Sequence, residues 1–85
     1  MDIRVKVTQD DIKNGKRCLS RKCPLALAVA RATGKSAIVR VTTLTVDNFA
    51  HRFNMSKKLI RFINDFDSDR PVKPFSFILR FRETA

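Results

Sequence analysis

The chain has no Trp, no Tyr and a single His, and only two Cys, two Gly and three Pro among its 85 residues. Each shortage excludes something. So little Gly and Pro argues against a loop-rich scaffold. Two cysteines are too few for the disulfide framework that staples small secreted domains. With Gly15 and Gly34 the only glycines, neither a Gly-rich phosphate loop nor a nucleophile elbow can be built. Acid is scarce as well: eight Asp and Glu stand against eighteen Lys and Arg, a net charge of +10. Long apolar runs are missing, since the longest, Pro24 to Ala30, falls far short of the roughly 18 residues a membrane-spanning helix needs. No membrane partner is expected.

What remains is ordinary globular material. Hydrophobic residues make up 44% and charged residues 31%, a balance that excludes a disordered chain. The length suits one domain over residues 1–85. Its core must come from Val, Ile, Leu and seven Phe.

Ile3, Val5 and Val7 alternate with Arg4 and Lys6, the period of a half-buried strand with a basic outer face. Thr8-Gln9-Asp10-Asp11 has capping-box form and predicts a short helical turn ending near Gly15. Pro24 suits the first position of a helix, Leu25, Ala28, Val29 and Ala32 follow at i, i+3, i+4 and i+7, and Gly34 stops it. From Ala37 to Val46 the chain is β-branched and reads as one strand; Asp47-Asn48 turns it into a return strand through Phe49, His51 and Phe53. Ser56 caps a helix over Lys57 to Phe66, striped by Leu59, Ile60, Ile63 and Phe66. Phe75, Phe77, Leu79 and Phe81 alternate in a last strand, with Phe77 as its expected core anchor. The order strand-helix-strand-strand-helix-strand predicts an α+β domain. It is the β-α-β-β-α-β pattern of a ferredoxin-like sandwich, a four-stranded antiparallel sheet with two helices on one face.

Chemistry has few footholds. Cys18 and Cys23, spaced Cys-x4-Cys, give with His51 at most three soft ligands, where structural zinc wants four. The expectation is two reduced thiols without metal, with a Cys18–Cys23 bridge and a zinc site as the alternatives. Cys18 beside Arg17 could have a lowered pKa, but nothing places His51 as its base. Asp65, Asp67 and Asp69 have the spacing of a calcium-loop turn but lack the following Gly and distal Glu. A solvated turn fits them better, and His51 suits the polar rim of a core. No enzyme activity and no cofactor are expected.

The basic excess is the feature that points to a function. If the apolar phase of the outer strands faces the helices, Arg4, Lys6, Arg80 and Arg82 share the open sheet face, joined by Arg40 and Arg52 from the hairpin. A second cluster, Lys16, Arg17, Arg21 and Lys22, lies in the loop before Pro24. Such arrays suit phosphate contact and predict largely sequence-independent nucleic-acid binding. No aromatic residues fall on that face for base stacking. Ile38, Leu44 and Ile78 interrupt it, which favours instead an acidic host protein as partner, or a homodimer.

The stretches Val5-Lys6-Val7-Thr8-Gln9-Asp10-Asp11-Ile12 to Gly15, Cys23-Pro24-Leu25-Ala26-Leu27-Ala28, and Phe62-Ile63-Asn64-Asp65-Phe66-Asp67 to Val72-Lys73-Pro74-Phe75-Ser76-Phe77 resemble a pattern in small uncharacterised proteins of phages and bacterial genomes. The resemblance implies an accessory product of a mobile element that binds a host protein or nucleic acid, as an inhibitor in the first case. Met1-Asp2-Ile3-Arg4 leads straight into the strand pattern without a signal-peptide profile, so a cytoplasmic location is expected, the host cytoplasm for a phage product.

Overall fold

The computed structural model of the chain describes residues 2–17, 19–40, 42–48 and 50–80. Eight elements run in order: β1 (Asp2–Val7), α1 (Gln9–Asn14), α2 (Pro24–Thr33), β2 (Ala37–Val39), β3 (Thr43–Val46), β4 (His51–Asn54), α3 (Lys57–Asp67) and β5 (Phe75–Arg80). They make a small compact α+β arrangement of three helices and two antiparallel sheets, among the described residues.

The helix boundaries follow local chemistry. Thr8 and Asp11 form the full capping box at the start of α1: the Asp11 N–H donates to the Thr8 hydroxyl at 3.2 Å and the Thr8 N–H to the Asp11 carboxylate at 2.9 Å. α2 starts on Pro24 and ends on Gly34, whose φ of +67° is the left-handed conformation that favours glycine. α3 is capped by Ser56, whose hydroxyl accepts from the Leu59 N–H.

The sheets depart from the expected single four-stranded one. Five strands divide into a β1–β5 pair and a β2–β3–β4 meander. The β-branched run Ala37–Val46 is not one strand. The chain reverses inside it, with the Arg40 N–H donating to the Thr43 carbonyl at 2.8 Å, and Val39 comes to lie opposite Leu44. That reversal resets the phase. On a straight strand Leu44 would point away from Val39; as cross-strand partners they share a face, and Leu44 is fully buried. Ile38 is buried as well. Of the three apolar residues expected to interrupt the basic face, only Ile78 is exposed. The turn into β4 is where the sequence places it, with Asp47 and Asn48 at φ of 60° and 53°.

α2 joins the two halves. It packs against β1 and against β2, and its side chains Leu25, Ala26, Ala28 and Val29 are buried with Val5, Val7, Leu44, Val46 and Leu79 in one core. The alanines permit this close approach of helix to sheet. From α3, Leu59, Phe62 and Ile63 close the core, and Phe62 meets Phe75 at a ring-centroid distance of 4.8 Å. Phe77 is half-buried and leans on Phe75 at 5.9 Å, whereas Leu79 is the buried residue of β5. No helix among the described residues is long and apolar enough to cross a membrane.

Candidate nucleic-acid interface

β1 and β5 pair over six residues each, from Asp2 opposite Arg80 to Val7 opposite Phe75. Val5 and Val7 face the core, so Asp2, Arg4 and Lys6 face outward, matched across the ladder by Arg80, Ile78 and Ser76. All six outward residues are exposed, and Ile78 keeps 46% of its surface in solvent. The strand phase expected from the sequence therefore holds here, and Arg4, Lys6 and Arg80 stand together. No ion pair joins any of the three to an acid among the described residues. Asp2 is the one carboxylate on this face among the described residues.

The hairpin arginines belong elsewhere. Arg40 lies in the β2–β3 turn and Arg52 on β4, opposite Thr45; both are exposed, but on the second sheet. Arg82 lies outside the described residues.

Lys16, Arg17, Arg21 and Lys22 are exposed on a loop that its own backbone closes. The Lys16 N–H donates to the Lys22 carbonyl at 2.7 Å, and the Leu19 carbonyl accepts from both Lys22 and Cys23. Arg17 reaches Asp69 at 3.6 Å, a pair exposed on both sides and so worth little. At the end of α3, Asp65 pairs with Arg70 at 3.3 Å, and beyond the helix Asp69 holds φ +61°.

Cys23 caps α2, its Sγ accepting from the Ala26 N–H at 3.4 Å. Burial pushes this thiol up, away from the thiolate a nucleophile or metal ligand needs. Cys18 lies outside the described residues, so the pairing of the two cysteines does too. No group of three or more His, Cys, Asp or Glu that could hold a metal is found among the described residues. His51 is half-buried opposite Val46, at the core's rim as its alternation with Phe53 implies.

Two features lay outside the sequence reading. Arg31 of α2 donates from Nη1 to Asp11 Oδ1 at 2.5 Å, and from Nη2 to Oδ2 at 2.9 Å and to the Lys6 carbonyl at 2.7 Å. Burial works to raise the Asp11 pKa, but Arg31 and the Thr8 cap together hold it below the ordinary carboxylate value. Arg31 is thereby a structural cation. Lys57, Lys58 and Arg61 form a third basic group on the exposed side of α3, with Lys58 5.2 Å over the Phe75 ring. Their spacing opposite the Leu59–Ile63 stripe was the available signal. Lys57 and Lys58 sit in the first turn of α3, where the helix dipole disfavours cations.

Shallow clefts lie beside these groups. One of about 620 Å³ is bounded by Cys23, Val39, Arg40, Ile63, Asn64 and Asp67. Another, of about 300 Å³, has Lys58, Arg61 and Lys73 around Phe75. No family model matches the chain, and comparison with curated proteins and with solved structures found no match.

Proposed function

We propose that this chain is a small, basic, non-enzymatic protein of the cytoplasm that binds nucleic acid through phosphate contacts. Arg4, Lys6 and Arg80 on the outer face of β1–β5 and Lys16, Arg17, Arg21 and Lys22 in the loop are the groups that make them. The observation supporting it is the outer face itself, three exposed cations on rigid strands without acid partners among the described residues. The strand pairing fixes the spacing of the backbone positions that carry these cations, so only their side chains have to be ordered when phosphates arrive.

The test is a fluorescence anisotropy titration with labelled duplex DNA at about 150 mM salt, where phosphate-driven binding is expected at micromolar levels. Arg4→Glu with Arg80→Glu should weaken binding strongly while leaving the circular dichroism spectrum unchanged, because both side chains are exposed. No detectable binding at tens of micromolar, on the scale of non-specific binding, ends this reading.

One observation favours a second reading, a phage-type inhibitor that docks on an acidic host protein. Ile78 and Leu19, exposed at 46% and 48%, sit within the two basic clusters, and apolar residues ringed by charge suit a protein partner. A pull-down from host lysate decides between them: protein partners retained after nuclease treatment, and lost with the Arg4→Glu, Arg80→Glu variant, support the inhibitor.

A further inference from the structure

The outward face of β1–β5 is not a uniform phosphate clamp. Its three cross-strand pairs are Asp2 with Arg80, Arg4 with Ile78, and Lys6 with Ser76. That row holds two guanidinium forks, an ammonium, a carboxylate, a hydroxyl and an aliphatic group, all exposed. Phosphates call only for the cations. A carboxylate repels them and an isoleucine does nothing for them. Base edges in a DNA major groove use every one of these types: Arg and Lys donate to guanine, a carboxylate accepts from cytosine N4, Ser bonds to either, and an aliphatic group packs on the thymine methyl.

The width of the sheet supports the same partner. A four-stranded sheet is too broad to enter any groove of a duplex. Two strands, about 4.8 Å apart, make a ribbon near 10 Å across with its side chains. The major groove of B-form DNA is about 12 Å wide and admits a two-stranded ribbon. Six residues per strand extend for about 20 Å. Val5, Val7 and Leu79 fix the inner face on the core that α2 shares, which leaves the outward row of the ribbon to face a partner.

We propose that the β1–β5 ribbon inserts into the major groove of duplex DNA and reads base edges with Arg4, Ile78, Arg80, Asp2, Lys6 and Ser76. The inference rests on the nucleic-acid reading and narrows it to one substrate, reassigning Arg4, Lys6 and Arg80 from phosphates to base edges and leaving the sequence-indifferent phosphate contacts to the loop. Arg4 and Arg80 are the strongest readers, because a bidentate Arg–guanine pair is the commonest specific contact. The Lys16–Lys22 loop supplies affinity without selectivity.

The test compares the full chain on three probes of one sequence: duplex DNA, duplex RNA, and duplex DNA carrying glucosylated hydroxymethylcytosine, whose sugars fill the major groove. A-form RNA has a deep, narrow major groove that side chains cannot read. DNA should bind about ten-fold or more tighter than either of the other two. Selection from a randomised duplex should recover a short preferred motif, and Arg4→Ala or Ile78→Ala should flatten the preference at one position each. Equal affinity for all three probes overturns the ribbon insertion and leaves phosphate binding standing. Stronger binding to the RNA duplex, or a selection that returns no motif, overturns it too. Binding to none of the probes removes both proposals at once.

Discussion

Arg31 grips Asp11 across twenty residues of sequence, each guanidinium nitrogen meeting one carboxylate oxygen, and so ties the last turn of α2 to the first turn of α1. The carboxylate is almost wholly buried while Arg31 is half exposed, so the two halves of the pair are not equivalent. Removing Arg31 leaves a buried carboxylate with only its Thr8 donor. Arg31→Ala is expected to cost about 2 kcal/mol, below the figure for a fully buried pair because water reaches the arginine. Urea titration of the variant measures it.

The same pair sets a pH dependence. The Asp11 pKa is lower in the folded chain than in the unfolded one, so the folded state binds fewer protons at this site. Its contribution is therefore present above the ordinary carboxylate value of about 4 and is lost as pH falls through the lower folded value. The stability difference between wild type and Asp11→Asn should be constant from pH 5 to 7, to a rough approximation, and shrink below about pH 4. A difference that grew on acidification would contradict the assignment.

Gly15 is required by proximity. Its φ of −66° is open to any residue, but a Cβ there would lie 2.6 Å from the Pro24 Cδ and 2.8 Å from the Asp11 carbonyl oxygen. Ring and backbone cannot swing aside as a flexible side chain could. Gly15→Ala should destabilise by about 1–3 kcal/mol. Pro24→Ala in the same chain should recover part of that loss, since the ring contact is removed and the carbonyl contact stays. Thermal melts of the single and double variants give the coupling.

Much of this architecture is legible locally. The Thr8–Asp11 box, Pro24 and Gly34 around α2, Ser56 before α3 and the alternation of β1 and β5 each announce themselves within a few residues, because caps and strand phase are short-range chemistry. The reversal between Val39 and Thr43 is not. Arg40 and Thr42 carry no Gly, Pro or Asx signal, and the turn follows from the pairing of Val39 with Leu44 and from the Ser20 carbonyl accepting the Val39 N–H at 2.8 Å. One missed turn moved Leu44 into the core and put Arg40 and Arg52 on a different sheet from Arg4. The Arg31–Asp11 tie was hidden for the same reason, since no local pattern links residues so far apart.

Phe77 and Leu79 exchange the roles that size alone suggests. Leu79 is 4% exposed, while Phe77, though larger, is half-buried at the edge of the Phe62–Phe75 contact. Leu79→Ala should cost about 3 kcal/mol, and Phe77→Ala about 2 kcal/mol rather than the 3–5 of a fully buried Phe. Denaturant midpoints of the two variants rank them directly.

Thr45 on the central strand β3 is 6% exposed, and its hydroxyl has no hydrogen-bond partner among the described residues. Its cross-strand neighbours are Ile38 and Arg52. A buried hydroxyl left unbonded carries a desolvation cost with no return, so replacing it with a methyl of similar shape removes the cost. Thr45→Val should stabilise by about 1 kcal/mol, seen as a higher urea midpoint at unchanged slope. Destabilisation would show that the hydroxyl is bonded in solution.

The two basic surfaces should separate in salt titrations of DNA binding. Each lost phosphate contact lowers the slope of log affinity against log salt by about 0.9. Arg21→Ala with Lys22→Ala should therefore flatten the slope by nearly 2, uniformly over DNA sequences. Ile78→Ala changes no charge and should leave the slope as it is, with its effect confined to sequence preference. Arg17 differs from its loop neighbours because Asp69 competes for it at 3.6 Å. Asp69→Asn keeps a side chain that tolerates the left-handed backbone at this position and removes the competing charge. Binding should then tighten only modestly and its salt slope change little, because the pair is exposed on both sides and leaves Arg17 available to phosphate already. Anisotropy titrations from about 50 to 300 mM salt measure all three variants; an unchanged slope for Arg21→Ala, Lys22→Ala would remove the loop from the interface.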